Sequence, residues 1–248
     1  MTSRELARWM RKHVVAMHQR GTNIGSAMSI ADILAVLYDG VLKIDDPASP
    51  DRDRFILSKG HGVSALYAAL CHKGFLDESA LETYLHDGSI LTGHPAAGSV
   101  RGIEVSTGSL GHGLAIGVGM ALAARNDGAN HRIYVLMGDG EIQEGSVWEA
   151  ALQAPRCGLS NLTAIVDANA LQGYGRVADI MPFESFVPRW ESFGWRAVEI
   201  DGHDHDALRE VLASVPLTPG LPTAVIARTV KGKGVEEMED QLGWHYFS

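Results

Sequence analysis

Residues 132–145 read RIYVLMGDGEIQEG: an apolar run, then an aspartate between two glycines, then an acidic helix start. The run RIYVLM is apolar almost throughout, as a β-strand that is covered on both faces must be. Three further short runs have the same character. They are LTAIV at 162–166, RAVEI at 196–200 and TAVIA at 223–227. The four runs predict the strands of a buried parallel sheet.

Apolar residues also recur at helical spacing before and between these runs. The predicted helices are Ser3–Arg20, Ser29–Val41, Gly62–Lys73, Ser79–His86, Leu110–Arg125, Glu144–Arg156 and Asp204–Ser214. Helices that alternate with parallel strands predict an α/β fold, a doubly wound and mainly parallel sheet with helices on both faces. We expect one domain over residues 1–248 with a helical N-terminal lead-in. Its ligands should bind at the carboxyl ends of the strands.

The composition excludes several classes of protein. Of 248 residues, 46% are hydrophobic and 21% are charged, which is typical of a globular enzyme and not of a disordered chain. A net charge of −9 argues against a nucleic-acid partner. Only two cysteines occur, Cys71 and Cys157, which suits a reducing compartment. With no signal peptide and no apolar stretch of membrane length, we expect a cytoplasmic protein without a membrane partner.

Two polar motifs follow neighbouring strand-like runs. Asp139 lies between Gly138 and Gly140, and Asn169 follows the next run in the sequence DANALQG at 167–173. The glycines let the backbone approach a bulky ligand, and the helix start that follows offers N–H groups to an anion. A carboxylate, an amide oxygen and a backbone carbonyl, completed by diphosphate oxygens and water, suit Mg²⁺ or Ca²⁺. The alternative for Gly-Asp-Gly alone is an ordinary tight turn.

Histidine stands beside glycine in three clusters, SKGHG at 58–62, TGHP at 92–95 and GHG at 111–113. An imidazole close to a ligand can donate to an oxygen or relay a proton near neutral pH. Each cluster alone is typical of a turn, but three beside a candidate diphosphate site favour a shared pocket. Zinc is the competing explanation, and neither the spacing nor the two cysteines fits a compact zinc site.

Several other motifs have a plain structural interpretation. STGSLG at 106–111 is a helix entry that could also border a cofactor, and Glu144 and Glu149 could exchange protons or simply be surface charges. GHDHD at 202–206 is expected to be a turn in which Asp204 caps the next helix, not a metal site. KGKG at 231–234 is expected to be a solvated loop and not a phosphate contact. The spacing around His245 indicates nothing by itself.

Taken in order, the motifs resemble the transketolase family, specifically its diphosphate-binding half. The resemblance rests on SKGHG, TGHP, STGSLGHGLAIGVGMA at 106–121, GDGEIQEGSVWEA at 138–150, DANALQG, and KGKG with WH near the end. It implies the thiamine diphosphate-binding fold and an enzyme that uses thiamine diphosphate with a divalent metal. The match extends over nearly the whole chain.

The resemblance also implies roles for individual residues. The metal ligands would be Asp139, the side chain of Asn169 and the backbone carbonyl of Leu171. The diphosphate would be contacted by His61 and Gly140, and the cofactor rings bordered by Gly108 and Leu110. His94 would lie near the reacting carbon and His245 beside the diphosphate and substrate, and Glu144 and Glu149 would belong to an acidic network across a dimer interface.

The chain departs from the family pattern in two motifs and in length. Asn23-Ile24-Gly25 stands where the family has histidine-proline-glycine, which puts ordinary pentose phosphate substrates in doubt, and Ala168 stands where asparagine is frequent. Because the sequence ends at Ser248, we expect the pyrimidine-binding domain, with the glutamate that activates the cofactor, on a partner chain. Two copies of each chain (α2β2) would then build the active sites at their interface.

The resemblance therefore predicts the N-terminal subunit of a split transketolase, which moves a two-carbon ketol unit from a ketose or ketose phosphate to an aldehyde. One alternative is the α-type subunit of a 2-oxo acid dehydrogenase, which uses the same metal motif; SKGHG and TGHP favour transketolase. Another is a non-catalytic cofactor-binding or scaffold subunit. A nicotinamide dehydrogenase is disfavoured because no strand is followed by G-x-G-x-x-G.

Overall fold

The computed structural model describes residues 1–18, 23–181 and 185–245. Its main sheet has five parallel strands in the order β1-β2-β3-β7-β6. These strands are β1 (Arg54–Leu57), β2 (Ile133–Gly138), β3 (Leu162–Ala168), β6 (Arg196–Asp201) and β7 (Thr223–Arg228). A short antiparallel pair, β4 (Leu171–Gln172) and β5 (Gly175–Arg176), follows β3. The four predicted strands and their parallel pairing are confirmed.

Helices connect the strands. They are α1 (Ser3–Met17), α2 (Ile24–Ser29), α3 (Ala31–Val36), α4 (Val63–His72), α5 (Gly113–Asn126), α6 (Gly145–Arg156), α7 (Val177–Ile180), α8 (Phe186–Ser192) and α9 (His205–Ala213). Short 3₁₀ turns occur at Gly60–Gly62, Glu78–Thr83, Glu141–Gln143 and Leu242–His245. Within the described residues, no helix is both long enough and apolar enough to cross a bilayer.

Two hydrophobic clusters cover the two faces of the sheet. Along β2, Tyr134 and Leu136 pack with the cluster that contains α1, α3 and α4, and Val135 and Met137 pack with α5 and α6 on the other face. This alternation follows from the two-residue period of a strand. Because both faces of the inner strands are buried, β2, β3 and β7 are apolar at nearly every position, whereas the edge strand β6 leaves Arg196, Glu199 and Asp201 exposed. The doubly wound α/β prediction is confirmed.

Some predicted helices were wrong in their bounds or type. The predicted helix at 29–41 divides into the end of α2, then α3 and a wide turn. The first break lies at Ile30, with φ and ψ of −96° and 0°, and Gly40, with a φ of +116°, interrupts the helical path in the wide turn. The segment predicted at 79–86 is a 3₁₀ turn at Glu78–Thr83. Helix α5 begins at Gly113 and not at Leu110, since Gly111 has a φ of +84°. The predicted end of the first helix at Arg20 lies outside the described residues.

One edge of the sheet collects the polar motifs. SKGHG follows β1, Gly-Asp-Gly follows β2, Asp-Ala-Asn closes β3, and residues 229–231 follow β7. Because all these strands are parallel, their carboxyl ends meet at one side of the domain. The topology therefore brings together segments that are more than 150 residues apart in sequence.

Candidate functional site

A cavity of about 390 Å³ lies at the carboxyl ends of β1, β2 and β3. Eight predicted site residues line it: His61, Leu110, Asp139, Gly140, Glu144, Asn169, Leu171 and His245. Gly108, His94 and Glu149 are not among its lining residues. The cavity is also lined by two lysines, Lys59 and Lys231, which the sequence interpretation did not place there.

Asp139 is held in place immediately beyond β2. Its carboxylate is 3% exposed and accepts the backbone N–H of Gly140 at 2.8 Å and of Ala170 at 2.6 Å. Burial, with the nearby charge of Asp167, raises the pKa of Asp139 to about 7. A buried carboxylate whose charged form is disfavoured in this way is stabilised by a bound cation.

Asn169 and Leu171 approach Asp139 from the end of β3. The Asn169 amide donates to Asp167 at 2.7 Å, and its oxygen accepts the Leu171 N–H at 3.1 Å. The N–H of Ala170, which joins these two residues, is bonded to Asp139. The Asn169 amide and the Leu171 carbonyl oxygens each have two lone pairs, so each can accept one hydrogen bond and still face a cation. The donor set therefore fits a hard, oxygen-preferring metal ion.

Behind these residues lies a buried ion pair that the sequence interpretation missed. The Lys59 Nζ lies 2.5 Å from an Asp167 carboxylate oxygen, and both side chains are almost fully buried. Asp167 also accepts the hydroxyls of Ser29 and Thr229. Burial alone would raise the pKa of Asp167, but the Lys59 ammonium and these hydrogen bonds outweigh it, so the pKa is lowered. A charged residue inside the apolar run of β3 was the available signal, because such a residue requires a buried partner.

The first residue of the KGKG segment, Lys231, is buried, so the prediction of a solvated loop was wrong for this residue. Lys231 is 1% exposed and its Nζ donates to the Leu171 carbonyl at 3.2 Å and to the His245 Nδ1 at 2.6 Å. Burial, with the charge of Lys59, lowers the pKa of Lys231 to about 8. The charges of Asp167 and Asp139 act in the opposite direction but do not outweigh burial and Lys59.

Two histidine rings lie beside each other in the lining of this cavity. The rings of His61 and His245 lie 5.9 Å apart between centroids. Burial and the lysine charges lower the pKa of His245 to about 4 and hold the pKa of His61 well below its usual range. Because Lys231 can only donate, His245 accepts at Nδ1, and its proton therefore resides on Nε2.

The glycine-rich segments pack against one another at the edge of the cavity. Gly108 has a φ of +142°, and a Cβ there would lie 2.8 Å from the His94 ring. A Cβ at Gly60 would lie 2.8 Å from the Thr107 hydroxyl. His94 therefore packs against Gly108, in the segment whose Thr107 contacts Gly60 next to His61, but His94 does not line the cavity. His112 is exposed and outside the lining, so the expected shared pocket does not include the third histidine cluster.

Glu141 joins three of these motifs, and the sequence interpretation assigned it no role. One carboxylate oxygen accepts the Gly111 N–H at 2.9 Å and the Ser58 hydroxyl, and the other accepts the Gly138 N–H at 3.1 Å. Burial raises the pKa of Glu141, although these three hydrogen bonds act in the opposite direction. A single buried carboxylate thus fixes the SKGHG, GHG and GDG segments relative to one another.

The two other candidate carboxylates lie at the surface. Glu144 precedes α6 at the rim of the cavity, and Glu149 lies on the exposed face of α6.

In GHDHD, Asp204 accepts the N–H groups of Asp206 and Ala207 and caps α9, so the capping prediction is confirmed. No cluster of three or more His, Cys, Asp or Glu residues suited to a metal occurs in the described ranges.

The fold and the position of the cavity place the chain among α/β proteins that bind ligands at the carboxyl ends of parallel strands. Residues 4–246 match the family described as "Transketolase, thiamine diphosphate binding domain". The chain therefore belongs to the transketolase family, through its thiamine diphosphate-binding domain. The match favours this family over the 2-oxo acid dehydrogenase alternative.

Two curated relatives and one solved structure illustrate the similarity. The chain is 45% identical over 226 residues to an apulose-4-phosphate transketolase subunit of Phocaeicola vulgatus, covering 90% of this chain and 80% of that protein. It is 40% identical over 225 residues to the 6-deoxy-6-sulfo-D-fructose transketolase subunit SqwG of a Clostridium species, covering 90% and 82%. The transketolase of Leishmania mexicana superimposes with a TM-score of 0.91 at 31% identity, covering 98% of this chain. The chain spans 39% of that longer protein.

Proposed function

We propose that this chain is the diphosphate-binding subunit of a two-chain transketolase, which moves a two-carbon ketol unit from a ketose to an aldehyde with thiamine diphosphate and Mg²⁺ (or Ca²⁺). The observation that carries the proposal is the convergence of Asp139, Asn169 and the Leu171 carbonyl in one cavity with a buried lysine. Family membership supports the cofactor, and the oxygen donors support the metal.

The cavity supplies complementary charges for the metal and the diphosphate. Asp139, Asn169 and the Leu171 carbonyl would hold the cation, and the Lys231 ammonium would face the anionic phosphates. Gly140 would contact them through its backbone, and its missing side chain lets Gln172 pack closely, since a Cβ there would lie 3.2 Å from Gln172. When bound, thiamine diphosphate supplies the carbanion that makes C–C cleavage possible.

The histidines would act on substrate oxygens as neutral hydrogen-bond donors. His245 carries its proton on Nε2 because Nδ1 accepts from Lys231, and a neutral ring can donate to a hydroxyl or an oxyanion. His61 lies next to it, and His94 lies beside Gly108 at the edge of the cavity. We assign these three residues to steadying the substrate charge, and Gly108 with Leu110 to bordering the cofactor rings.

A partner chain would complete the site. The two similar bacterial proteins are each called a transketolase subunit, and this chain covers 80% and 82% of their lengths. Beside the cavity, Leu110 is 36% exposed and Tyr174 is 87% exposed, so apolar surface is available for contact. We place the pyrimidine-binding domain on the partner, residues 1–248 in one domain, and Glu144 with Glu149 at an interface in an α2β2 assembly.

The test is reconstitution with a candidate partner chain that carries the pyrimidine-binding domain. The complex is supplied with thiamine diphosphate and Mg²⁺ and assayed for ketol transfer from several ketoses and ketose phosphates, including apulose 4-phosphate and 6-deoxy-6-sulfo-D-fructose. We expect aldehyde formation that requires both chains and is lost in the Asp139→Asn complex. Transfer to a lipoyl domain, or binding of neither cofactor nor metal by calorimetry, would contradict the proposal.

A further inference from the structure

A second set of buried charges lies where α1, α3 and α9 meet, outside the described lining of the cavity. Its centre is Asp32, which is 5% exposed. Its carboxylate accepts Arg11 at 2.5 and 3.0 Å, the His203 Nδ1–H at 2.7 Å and the His205 Nε2–H at 3.0 Å. Burial would raise the pKa of Asp32, but these donors outweigh it and lower the pKa well below its usual range. The Asp32 carboxylate is therefore ionised near neutral pH.

Two of the three partners of Asp32 also hold the loop at residues 230–234. His203 accepts the Val230 N–H at its Nε2, at 2.9 Å. Arg11 donates its Nε–H to the Lys233 carbonyl at 2.8 Å. His205 makes no such bond to this loop within the described residues. Between the two attachment points lies Lys231, whose ammonium group reaches into the cavity.

The opposite side of the loop packs closely against backbone. The Gly232 N–H donates to the Gly25 carbonyl at 3.0 Å. Gly232 has a φ of +81°, and a Cβ there would lie 2.3 Å from the Met238 carbonyl oxygen. The loop is thus enclosed by backbone on one side and by the Asp32 cluster on the other. Its position relative to the cavity depends on the hydrogen bonds at Val230, Gly232 and Lys233 and on the Asp240 N–H, which donates to the Lys231 carbonyl at 2.9 Å.

We infer that His203, whose tautomer is set by Asp32, is a positioning residue that holds the 230–234 loop at Val230 and thereby fixes the Lys231 ammonium beside the Leu171 carbonyl and His245. Asp32 binds the His203 Nδ1–H, which selects the tautomer whose Nε2 can accept the Val230 N–H. A lysine side chain loses rotamer entropy when it is held in one conformation. Fixing its backbone in advance reduces the ordering that ligand binding must bring about.

The link to ligand binding rests on the proposed function, in which Lys231 faces the diphosphate. The positioning itself does not, because it can be observed in the chain without ligand. The experiment therefore has two readouts on the full chain. One is amide hydrogen exchange over residues 228–234, and the other is the affinity for inorganic pyrophosphate with Mg²⁺, measured by calorimetry.

The matched variants are His203→Asn and His205→Gln. Each amide can keep the bond to Asp32, since the Asn amide overlaps the Nδ1 position and the Gln amide reaches the Nε2 position. Only His203→Asn removes the acceptor for Val230. We expect this variant to speed exchange across the loop at least about tenfold and to weaken pyrophosphate binding about five- to twentyfold. His205→Gln should leave both quantities within about twofold of the wild type.

A third variant separates positioning from a general loss of stability. His203→Gln places an amide oxygen near the Val230 N–H, so it should restore part of the exchange protection even if its melting temperature equals that of His203→Asn. Unchanged loop exchange in His203→Asn, or equal effects of His203→Asn and His205→Gln, would overturn the inference. If exchange responds as expected but the wild type does not bind pyrophosphate, the positioning stands and the proposed function fails.

Discussion

Replacing Asp139 with asparagine should stabilise the metal-free chain while removing its metal site. The pKa of Asp139 is raised from 3.8 to about 7, so between these values the folded chain holds a proton that the unfolded chain has lost. Wild-type stability therefore falls as the pH rises through this interval, and by pH 8 the loss amounts to about 4 kcal/mol. Asparagine avoids this loss but can accept only one of the two N–H groups, which costs about 1 kcal/mol. The net gain expected for Asp139→Asn at pH 8 is about 3 kcal/mol.

The assay is urea unfolding from pH 4 to pH 8 in the presence of a chelator. The stability difference between Asp139→Asn and wild type should vanish near about pH 4.5, grow to pH 7 and then level off. Asp127→Asn, at an exposed carboxylate after α5, is the control and should show no such trend. Addition of Mg²⁺ and thiamine diphosphate should stabilise only the wild type and the control. A pH-independent difference, or a variant that is less stable than wild type at pH 8, would refute the reasoning.

Three further predictions concern the same cavity. Lys59→Met should lower the free energy of unfolding, measured in urea, by about 3–5 kcal/mol because it leaves Asp167 buried without its cation. The Lys59→Met/Asp167→Asn double variant should recover part of this loss. A loss below about 1 kcal/mol in Lys59→Met would contradict the prediction. Glu141→Gln should lower the free energy of unfolding by about 1–3 kcal/mol, since one of the three groups that donate to Glu141 loses its acceptor. Hydrogen exchange at the Gly111 or Gly138 amide should accelerate, while exchange at distant amides stays unchanged. Binding of Mg²⁺ with thiamine diphosphate should release about half a proton at pH 7, from Asp139, and take up about half a proton at pH 8, at Lys231. Calorimetry in buffers of different ionisation enthalpy, corrected for the ligand's own titration, measures this change of sign. If the sign does not change, these two groups do not face the ligand.

The parts of the site that could be predicted are those encoded locally. An apolar run that stops at Gly-Asp-Gly or Asp-Ala-Asn marks both a strand and its carboxyl end, so Asp139 and Asn169 could be placed at one edge of the sheet. The same local logic failed at Gly40 and Gly111, where a positive φ interrupts a pattern of helical periodicity. Hydrophobic periodicity reports which face is buried, but it does not report where the backbone must turn.

The missed residues depend on partners that are distant in sequence. Lys59 and Asp167 are separated by 108 positions, and Ser58 and Glu141 by 83. A lysine is ordinarily exposed, so a solvated loop was the reasonable expectation for Lys231. That expectation fails because the Leu171 carbonyl and His245 supply acceptors for its ammonium in the cavity, and only the folded topology reveals them.

The perturbed charges of the cavity also indicate what it is built to receive. Burial raises the pKa of Asp139 and lowers the pKa of Lys231, so each group is destabilised in its ionised form. A cation alone would relieve the aspartate and disfavour the lysine charge further, and an anion alone would do the reverse. A cation and an anion bound together relieve both groups. The opposite pKa shifts of these two residues therefore support the proposed metal–diphosphate pair.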